Sequence, residues 1–565
     1  MTDLTAGPRP SPAADPGTPA AEDDAGGTAA EGDSGRPHQG TTGGAPACGG
    51  RSDDRTRRVD DRRRRTARAI RLGGLAVVLV WLAGMAAFSS MLYHRVDLTA
   101  DYASYYQAWA LIGQGHLNPV GTVWLHHVPF VRNDLELIIW ALAPLHLLSS
   151  QGVLLLWVQD VAIAACGFVT FVWVVEVLER RAAATWVTVT AGVAVLAAVV
   201  ANVGVYRTLL FDFHTEPIST LFVVLAGRDL WHGRTRRAWV WIPGALLCGT
   251  FAALMVIGLG ISALLAGTRT RRSGLLLVGC GAAWSAFIPL VGTNLGSGLD
   301  YYAYLAGRTH LPATGGVVLV LLGIVGHPGR VLHQLHLRMH YIWLLLRPVG
   351  IVGLASAWGF GVPVTVLVVD ALNSQYGFIF EPFQNFAVFP FVLVGTVMVL
   401  LWLADRIPRG WTVAALAGVV LAGVALTYDT AVAPGNVRWA VSRVPAGTAA
   451  HLRQALAATP PSAEVVATIG IMGRFSGRPE ALFYSPGRTY AVGARPVVFV
   501  FAPAQEDTVP FATPADDDAA ITYVRTVLHA RTLVDAGGVA AFSWDPPPSV
   551  RSVRLPGATP QAASS

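Results

Sequence analysis

The run Phe211-Asp212-Phe213-His214-Thr215-Glu216 carries the strongest chemical signal in the chain. Its three ionisable residues, Asp212, His214 and Glu216, stand at every second position, so an extended turn would place all three on one face. That face could bind a divalent cation, hold a phosphate through the cation, or cap a helix whose dipole Glu216 complements. Ionisable residues are costly between apolar stretches, which favours a functional role. We therefore predict all three as substrate or phosphate ligands, with Asp212 and His214 as candidate metal ligands.

A second polar group follows the first long apolar stretch and contains Asp97, Asp101 and Gln107. A carboxylate at this position could act as a general base or hold a metal ion. The alternative is a solvated acidic loop start whose charges avoid the bilayer. We predict Asp101 or Asp97 as the catalytic carboxylate and Gln107 as a substrate-binding residue.

A third group precedes the apolar stretch 135–149 and contains His126, His127, Asp134 and Glu136. Carboxylates beside apolar sequence are costly unless they are solvated or paired, so we expect Asp134 and Glu136 to line an aqueous opening, with Asp134 binding substrate. Adjacent histidines do not easily ligate one metal ion from a regular element, so they predict no zinc site.

Two further positions are candidates. Asp160 lies inside an apolar stretch, where a carboxylate needs a partner, water or a proton. Arg308 belongs to a group with Tyr301, Tyr302 and Tyr304 that could recognise a sugar or a phosphate. An interfacial aromatic belt explains the tyrosines equally well.

The elements that position these residues are those of a membrane protein. The chain has 565 residues, of which 53% are hydrophobic and 13% charged, with a mean hydropathy of +0.49. That composition excludes an ordinary soluble protein. The net charge of +6 comes from arginines beside apolar segments, so it indicates membrane topology and no nucleic-acid partner. The four cysteines form no CxxC pair, and they support neither a disulfide framework nor a zinc site.

Apolar stretches long enough to cross roughly 30 Å of hydrocarbon define the predicted spans. The clear ones are 70–92, 152–177, 183–205, 274–293, 387–404 and 411–428. The less regular ones are 215–228, 238–266 and 341–371, where internal Gly and Pro indicate broken helices or tight pairs.

The arginine clusters predict the orientation, because short cytoplasmic loops carry the excess of basic residues. All clusters fall on one side if 238–266 and 341–371 each cross twice and 135–149 does not fully cross. The prediction is about eleven passes, with a cytoplasmic N-terminus, an extracytoplasmic C-terminus and a location in the plasma membrane.

Three regions follow from these patterns. Residues 1–62 are poor in large apolar residues and predict a disordered cytoplasmic tail. Residues 63–428 form the α-helical polytopic domain, with a large external loop at 93–134. Residues 429–565 predict a small extracytoplasmic α/β domain with a disordered end.

The predicted elements of this α/β domain include a final hairpin through Gly537 and Gly538. The others are a helix at 448–458, strands at 464–469 and 497–501, and a helix at 519–530. The domain contains no Gly-rich phosphate loop and no nucleophile elbow, so we interpret it as a packing or lid domain.

The chain resembles the family of predicted membrane proteins called domain of unknown function 2079, which is itself similar to the GT-C class of polyprenyl-phosphate-sugar-dependent glycosyltransferases. The segments that carry the resemblance are Asp101-Tyr-Ala-Ser-Tyr-Tyr-Gln107 with Gly113 to Gly115, Leu142-Ala-Pro-Leu145, Val158-Gln159, Phe211-Asp-Phe-His214 with Glu216, and Val465-Val-Ala-Thr468, between about residues 70 and 545.

The resemblance implies a GT-C-like helical bundle with a lipid-phosphate cavity and an outer C-terminal domain. It places Asp101, or Asp97, as base or metal ligand, and Asp212, His214 and Glu216 as second-site ligands. It also implies membrane lipids and a polyprenyl-phosphate-linked sugar as partners, with a divalent cation as a possible cofactor. Two departures count against retained chemistry: Asn133 and Asp134 replace a usual His, and Thr250-Phe-Ala-Ala253 replaces a charged run.

Three functions remain open from the sequence. The first is a transferase of lipid-linked sugars for cell-envelope glycans or protein glycosylation, supported by the outer carboxylates. The second is a transporter or flippase for an envelope precursor, motivated by Asp160 and the broken segments. The third is a non-catalytic membrane scaffold.

Overall fold

The structure, a computed structural model, describes residues 50–124, 127–181, 183–291, 299–312, 315–374, 384–406, 444–505 and 512–557. The chain divides into two compact units, 1–60 and 61–565. In the first unit, the described residues 50–60 are helical. Most of the predicted tail and the predicted disordered C-terminal end therefore lie outside the described residues, whereas residues 50–62 form the start of a helix.

Most of the described chain is helical, as the apolar composition predicts. The helices of the apolar region are α1 (Gly50–Arg95), α2 (Ala100–Gly113), α3 (Val131–Asp134), α4 (Ile138–Leu142), α5 (Val153–Arg180), α6 (Thr185–Val200), α7 (Val203–Leu210), α8 (Glu216–Trp231), α9 (Thr235–Leu246), α10 (Thr250–Leu265), α11 (Thr268–Phe287), α12 (Gly316–Gly326), α13 (Pro328–Leu346), α14 (Ala357–Leu372) and α15 (Val388–Ala404). Short 3₁₀ segments extend or join several of them, among them Ala143–Leu147, Ile351–Ala355 and Gln384–Ala387.

Within the described ranges, four helical segments are long and apolar enough to cross a membrane. They are Arg65–Arg95, Val153–Arg180, Thr185–Leu210 and Gln384–Ala404. A fifth exists if α12 and α13, which meet at 92°, count as one broken span. These segments confirm helices at the predicted spans 70–92, 152–177, 183–205 and 387–404. The predicted span 411–428 lies outside the described residues, and the count of about eleven passes is not confirmed.

Two of the three irregular apolar stretches are broken where Gly and Pro indicate, whereas the stretch 215–228 is continuous from Glu216 onward in α8. In 238–266, α9 ends at Leu246 and α10 begins at Thr250. Gly249, between them, has a φ of 106°, a conformation that residues with a side chain rarely adopt. In 341–371, α13 ends at Leu346 and α14 begins at Ala357. The stretch 135–149 forms only the short apolar helix Ile138–Leu147, about half the length needed to cross the hydrocarbon core.

Small residues allow the helices of the bundle to approach closely. A Cβ atom added at Gly258 of α10 would lie 2.6 Å from the Cα of Val362 in α14. A Cβ atom added at Gly361 would lie 2.1 Å from the carbonyl oxygen of Gly258. Backbone contact through glycines is a typical packing device of membrane helices, which gain little from the hydrophobic effect.

The C-terminal region forms a mixed sheet, as predicted. Its five strands are β3 (Glu464–Ala467), β4 (Ala481–Phe483), β6 (Val497–Phe501), β7 (Arg531–Ala536) and β8 (Val539–Trp544), in the order β4-β3-β6-β8-β7. β3 runs parallel to β4 and β6, whereas β8 is antiparallel to β6 and β7. Two small antiparallel pairs are formed by β1 (Val120–Gly121) with β2 (Val128–Pro129), and by β5 (Thr489–Ala491) with β9 (Ser552–Arg554).

Two helices, α16 (Ala446–Ala458) and α17 (Pro514–Thr526), pack on the sheet. The predicted helix at 519–530 is wrong at its start by about one turn. The reason is a capping box in which Thr513 and Asp516 exchange side-chain and backbone hydrogen bonds, with Pro514 as the first residue of the helix. The predicted hairpin is confirmed, and Gly537 and Gly538 both have positive φ.

Alternate side chains of β6 point to opposite faces of the sheet and belong to two different hydrophobic cores. Val498 and Val500 belong to a cluster that includes Val96, Ala100 and Ala103 around the start of α2. Phe499 and its alternate neighbours face a second cluster on the side of α17. One face of the sheet therefore supports α2, the helix that follows the first membrane helix and carries Asp101.

Candidate functional site

The start of α2 is tied to the turn before α8. The backbone N–H and the hydroxyl of Thr99, the N-cap residue of α2, donate to Oδ2 of Asp212 at 2.6 and 2.5 Å. The hydroxyl oxygen of Thr99 accepts from the backbone N–H of Asp101 at 3.3 Å. Asp212 therefore holds the first turn of the helix that carries Asp101.

Asp212 has a φ of 68°, so the run 211–216 is not the extended turn expected from its spacing. Asp is one of the few residues that tolerate this left-handed conformation. The amide of Gln159, in α5, stabilises the turn from both sides. Its Nε2 donates to the carbonyl oxygen of Asp212 at 2.8 Å, and its Oε1 accepts from the backbone N–H of His214 at 2.6 Å. Gln159 is buried.

His214 lies between two carboxylates. Its Nε2 is 3.9 Å from Oδ2 of Asp101, and its Nδ1 is 3.8 Å from Oε2 of Glu216. The side chain of Asp101 is 33% exposed, whereas that of His214 is 6% exposed. Asp101 is therefore the member of this group that a substrate can reach. Glu216 is the first residue of α8, where the helix dipole also favours a negative charge.

Burial lowers the pKa of His214 to about 3, and a hydrogen bond with the backbone of Phe211 acts in the opposite direction. The imidazole is thus neutral at physiological pH. The rings of Tyr105 and Phe211 lie 5.9 and 5.6 Å from the imidazole ring and enclose it. A neutral imidazole adds no positive charge beside the carboxylate of Asp101.

Glu136 joins the same turn to α2. Its Oε1 accepts from the Tyr105 hydroxyl at 2.6 Å and lies 2.8 Å from the Thr215 hydroxyl, whose single proton is shared with the carbonyl oxygen of Cys248, also at 2.8 Å. Glu136 is only 4% exposed, so the expectation that it lines an aqueous opening is wrong. It is a buried connection between α2 and the residue that precedes α8.

Among the remaining predicted site residues, Asp97 and Gln107 are also buried. Asp97 follows α1, and its backbone N–H donates to the carbonyl oxygen of Leu92 at 3.0 Å. Nε2 of Gln107 donates to the Thr122 hydroxyl at 2.7 Å and to the carbonyl oxygen of Arg478 at 3.0 Å. Gln107 therefore joins α2 to the C-terminal sheet region.

Among the described side chains, Arg308 and Asp160 form no hydrogen bond or ion pair with this group. Asp134 ends α3, and its side chain lies outside the described residues, as does His126. Arg308 is exposed after the 3₁₀ segment Ala303–Ala306. Asp160 is buried in α5, where Oδ1 accepts from the Ser89 hydroxyl at 3.1 Å.

The resemblance implies a divalent cation as cofactor. Within the described part of the chain, no three His, Cys, Asp or Glu side chains are grouped closely enough to hold a metal ion. Oδ2 of Asp212 accepts two hydrogen bonds from Thr99, and the role of Asp212 and His214 as metal ligands stays a prediction. We therefore assign no step of the reaction to a metal ion.

The residues that position this site are not predicted from the sequence. Gln159 has a sequence signal, since it lies in the Val158-Gln159 segment of the resemblance, but Thr99 has none beyond its place before a helix. Arg474 is also missed. Its guanidinium carbon lies 4.2 Å from the centre of the Tyr93 ring, at the end of α1. The neighbouring Gly473 donates its backbone N–H to the carbonyl oxygen of Leu98 at 2.8 Å.

The fold and the site define a mostly helical membrane protein in which a C-terminal sheet supports a polar site beside α2. Residues 99–501 match the family model described as predicted membrane protein (DUF2079). The chain belongs to this family.

Two similar solved structures are of ArnT from Cupriavidus metallidurans. The one bound to undecaprenyl phosphate has a TM-score of 0.43 and 12% identity, and the match covers 84% of this chain and 97% of that chain. The apo structure has a TM-score of 0.40 and 11% identity, with coverages of 82% and 98%. No curated protein matches this chain.

Proposed function

We propose that the protein is a membrane glycosyltransferase that takes a sugar from a polyprenyl phosphate, with Asp101 as its general base. The observation that carries this proposal is the position of Asp101, 3.9 Å from His214 and partly open to solvent on a helix held by Asp212. Asp101 and Glu216 lie on either side of His214, and Asp212 binds Thr99 at the start of the helix that carries Asp101. The sequence resemblance to GT-C enzymes implies roles for these same residues.

The reaction assigned to Asp101 is a displacement at the anomeric carbon. The acceptor hydroxyl oxygen bonds to that carbon while the bond from the carbon to the phosphate oxygen breaks. The lipid phosphate leaves with the electron pair, and the hydroxyl proton moves to Asp101. Asp97 is a weaker candidate for the base because its side chain is buried.

Arg474 is the cation we assign to the departing phosphate. It lies in the 3₁₀ segment Ile469–Phe475, which packs on α2 and contacts the end of the first membrane helix through Tyr93. An arginine can bind phosphate with two parallel hydrogen bonds and keeps its charge at any physiological pH. In this proposal the C-terminal region completes the site and lies on the extracytoplasmic side of the plasma membrane, as the arginine distribution predicts.

The test uses the purified full-length protein in liposomes with a panel of polyprenyl-phosphate-linked hexoses and pentoses. The readout is release of polyprenyl phosphate, the product common to every sugar. Asp101→Asn should reduce release at least about 100-fold, in the range typical of a general base. Asp300→Asn is the matched control, because Asp300 is a partly exposed carboxylate that pairs with His310.

Unchanged release by both Asp101→Asn and Asp212→Ala would overturn the transferase assignment. Substrate uptake into the same liposomes without sugar transfer, abolished by Asp160→Asn, would instead support the transporter alternative. Stable association with an envelope protein, with neither transfer nor uptake, would support the scaffold alternative.

A further inference from the structure

A cavity of about 830 Å³ lies at the opposite end of α5 from the candidate site. Gln159 lies near one end of α5 and Arg180 is its last residue, so the rise of the helix separates them by about 30 Å, the thickness of the hydrocarbon core. The cavity is therefore distinct from the site around Asp101. It lies on the side of the membrane where the arginine clusters gather.

The lining of this cavity has two parts. The apolar part includes Val177, Leu265, Met398 and Val399, of which Val177 is buried and Leu265 is exposed. The rest of the lining includes the last residue of α5, the arginine that follows it, and three tryptophans. These residues are Arg180, Arg181, Trp231, Trp358 and Trp402. Arginine and tryptophan beside an apolar interior are the residues that membrane proteins place at the level of lipid headgroups.

Arg180 is a fixed cation at this cavity. Its guanidinium carbon lies 3.7 Å from the centre of the Trp231 ring, and its NH2 group is 2.7 Å from Nδ1 of His232. Nε2 of His232 in turn contacts Glu176 at 2.9 Å. Within the described part of the chain, Arg180 forms no ion pair with a carboxylate. Since a guanidinium has five N–H donors, these contacts orient it and leave donors for an anion.

The other charges near the cavity do not cancel that of Arg180. The carboxylate of Glu176 accepts hydrogen bonds from both Nε and Nη2 of Arg228, at 2.8 and 2.6 Å. Asp405 pairs with Arg181 at 2.5 Å, and both side chains are more than half exposed, so this pair is weak and open to exchange. The N-terminus of α14 also reaches the lining through Ser356 and Ala357, and it adds a favourable dipole.

We propose that this cavity binds an anionic phospholipid of the arginine-rich leaflet, with the phosphate on Arg180 and Arg181 and an acyl chain in the apolar interior. The phosphodiester group forms charge-assisted hydrogen bonds with the two guanidinium groups, and the hydrocarbon chain packs against Val177, Met398 and Val399. A free phosphate ion shares the headgroup chemistry but leaves the apolar interior unfilled, so affinity should depend on the chain. This site does not depend on the proposed transferase activity.

The experiment titrates the full-length protein in detergent with dioleoylphosphatidylglycerol or dioleoylphosphatidylcholine and counts bound lipid by native mass spectrometry. The anionic lipid should bind about tenfold more tightly than the zwitterionic one, as expected for one or two charge-assisted contacts. The double variant Arg180→Gln with Arg181→Gln should remove that preference. Arg236→Gln, a neutralised exposed arginine on the same side outside the lining, should keep it.

A second variant keeps the test decisive if the double variant does not fold. Ala357→Phe fills the cavity from the first residue of α14 and keeps both arginines, and it should weaken binding of the anionic lipid. Equal binding of the two lipids, or an equal loss in Arg236→Gln, would overturn the proposal. Displacement of the lipid by millimolar inorganic phosphate would also overturn it in favour of a free-anion site.

Discussion

The backbone N–H and the hydroxyl of Thr99 both donate to one carboxylate oxygen of Asp212, at 2.6 and 2.5 Å, across 113 residues of sequence. The two residues belong to the start of α2 and to the turn before α8. Asp101 follows two positions after Thr99, so Asp212 determines where the proposed base lies. A change at Asp212 should therefore affect both stability and activity.

Asp212→Ala should destabilise the protein by about 2 to 3 kcal/mol. It removes charge-assisted hydrogen bonds from buried donors, and it leaves an alanine in the left-handed conformation, which alanine tolerates poorly. Asp212→Asn should cost less, since its amide oxygen can still accept from Thr99. The measurement is the unfolding temperature of the purified variants in one detergent, together with release of polyprenyl phosphate.

Asp212→Gly separates backbone strain from the lost hydrogen bonds. Glycine adopts a φ of 68° without steric cost, so this variant should be more stable than Asp212→Ala by about 1 kcal/mol. If the alanine and glycine variants unfold at the same temperature, the left-handed conformation of Asp212 is not a source of strain.

Glu136 should act as a structural connection. Tyr105→Phe removes one hydroxyl from Oε1 of Glu136. Thr215→Val removes a hydroxyl that lies 2.8 Å from both Oε1 of Glu136 and the carbonyl oxygen of Cys248. Each substitution should destabilise the protein by about 1 kcal/mol. Because both hydroxyls bind the same oxygen, the double variant should differ from the sum of the single variants by at least about 0.5 kcal/mol. Unfolding temperatures of the three variants test this, and strict additivity would contradict a shared acceptor.

Residue types predicted much of this site, and spacing predicted little of its geometry. Asp101, His214 and Glu216 do lie together, as ionisable residues beside apolar stretches indicate. The extended turn is wrong, because Asp212 adopts a left-handed conformation that Gln159 and Thr99 hold from distant parts of the chain. Contacts between residues so far apart leave no trace in local periodicity.

The fold was predictable where one local rule decides it. A run of β-branched and aromatic residues identifies β6, a glycine pair identifies the β7 and β8 hairpin, and apolar length identifies the long membrane helices. Gln107 shows the opposite case: an amide after an acidic loop start suggests a ligand, yet it binds Thr122 and a carbonyl group of the C-terminal region. Its partner lies 371 residues away in sequence.

Gly473 should be intolerant of a side chain, because it is where the C-terminal region meets α2. A Cβ atom there would lie 2.4 Å from Cβ of Leu98 and 2.8 Å from the Tyr102 ring. Gly473→Val should push the segment with Arg474 away from α2, lowering polyprenyl phosphate release and destabilising the protein by about 1 to 3 kcal/mol. Gly447→Ala is the control, since nothing lies within 4 Å of its added Cβ atom. Equal effects of the two substitutions would contradict a tight contact at Gly473.

His214 should make stability depend on pH. Its pKa is lowered by burial from 6.5 to about 3, so between those values the unfolded chain binds a proton that the folded chain does not. Stability from this residue is complete above about pH 6.5 and is lost as the pH falls, at roughly 1.4 kcal/mol per pH unit well below that value.

The measurement compares unfolding temperatures at pH 7.5 and pH 5.0 for the wild type and His214→Gln, which keeps a polar side chain that does not titrate. The wild type should lose more stability than the variant, by about 2 kcal/mol. His451→Gln serves as the control for the loss of a histidine elsewhere in the chain. If His214→Gln loses as much stability at pH 5.0 as the wild type, His214 does not remain neutral in the folded protein.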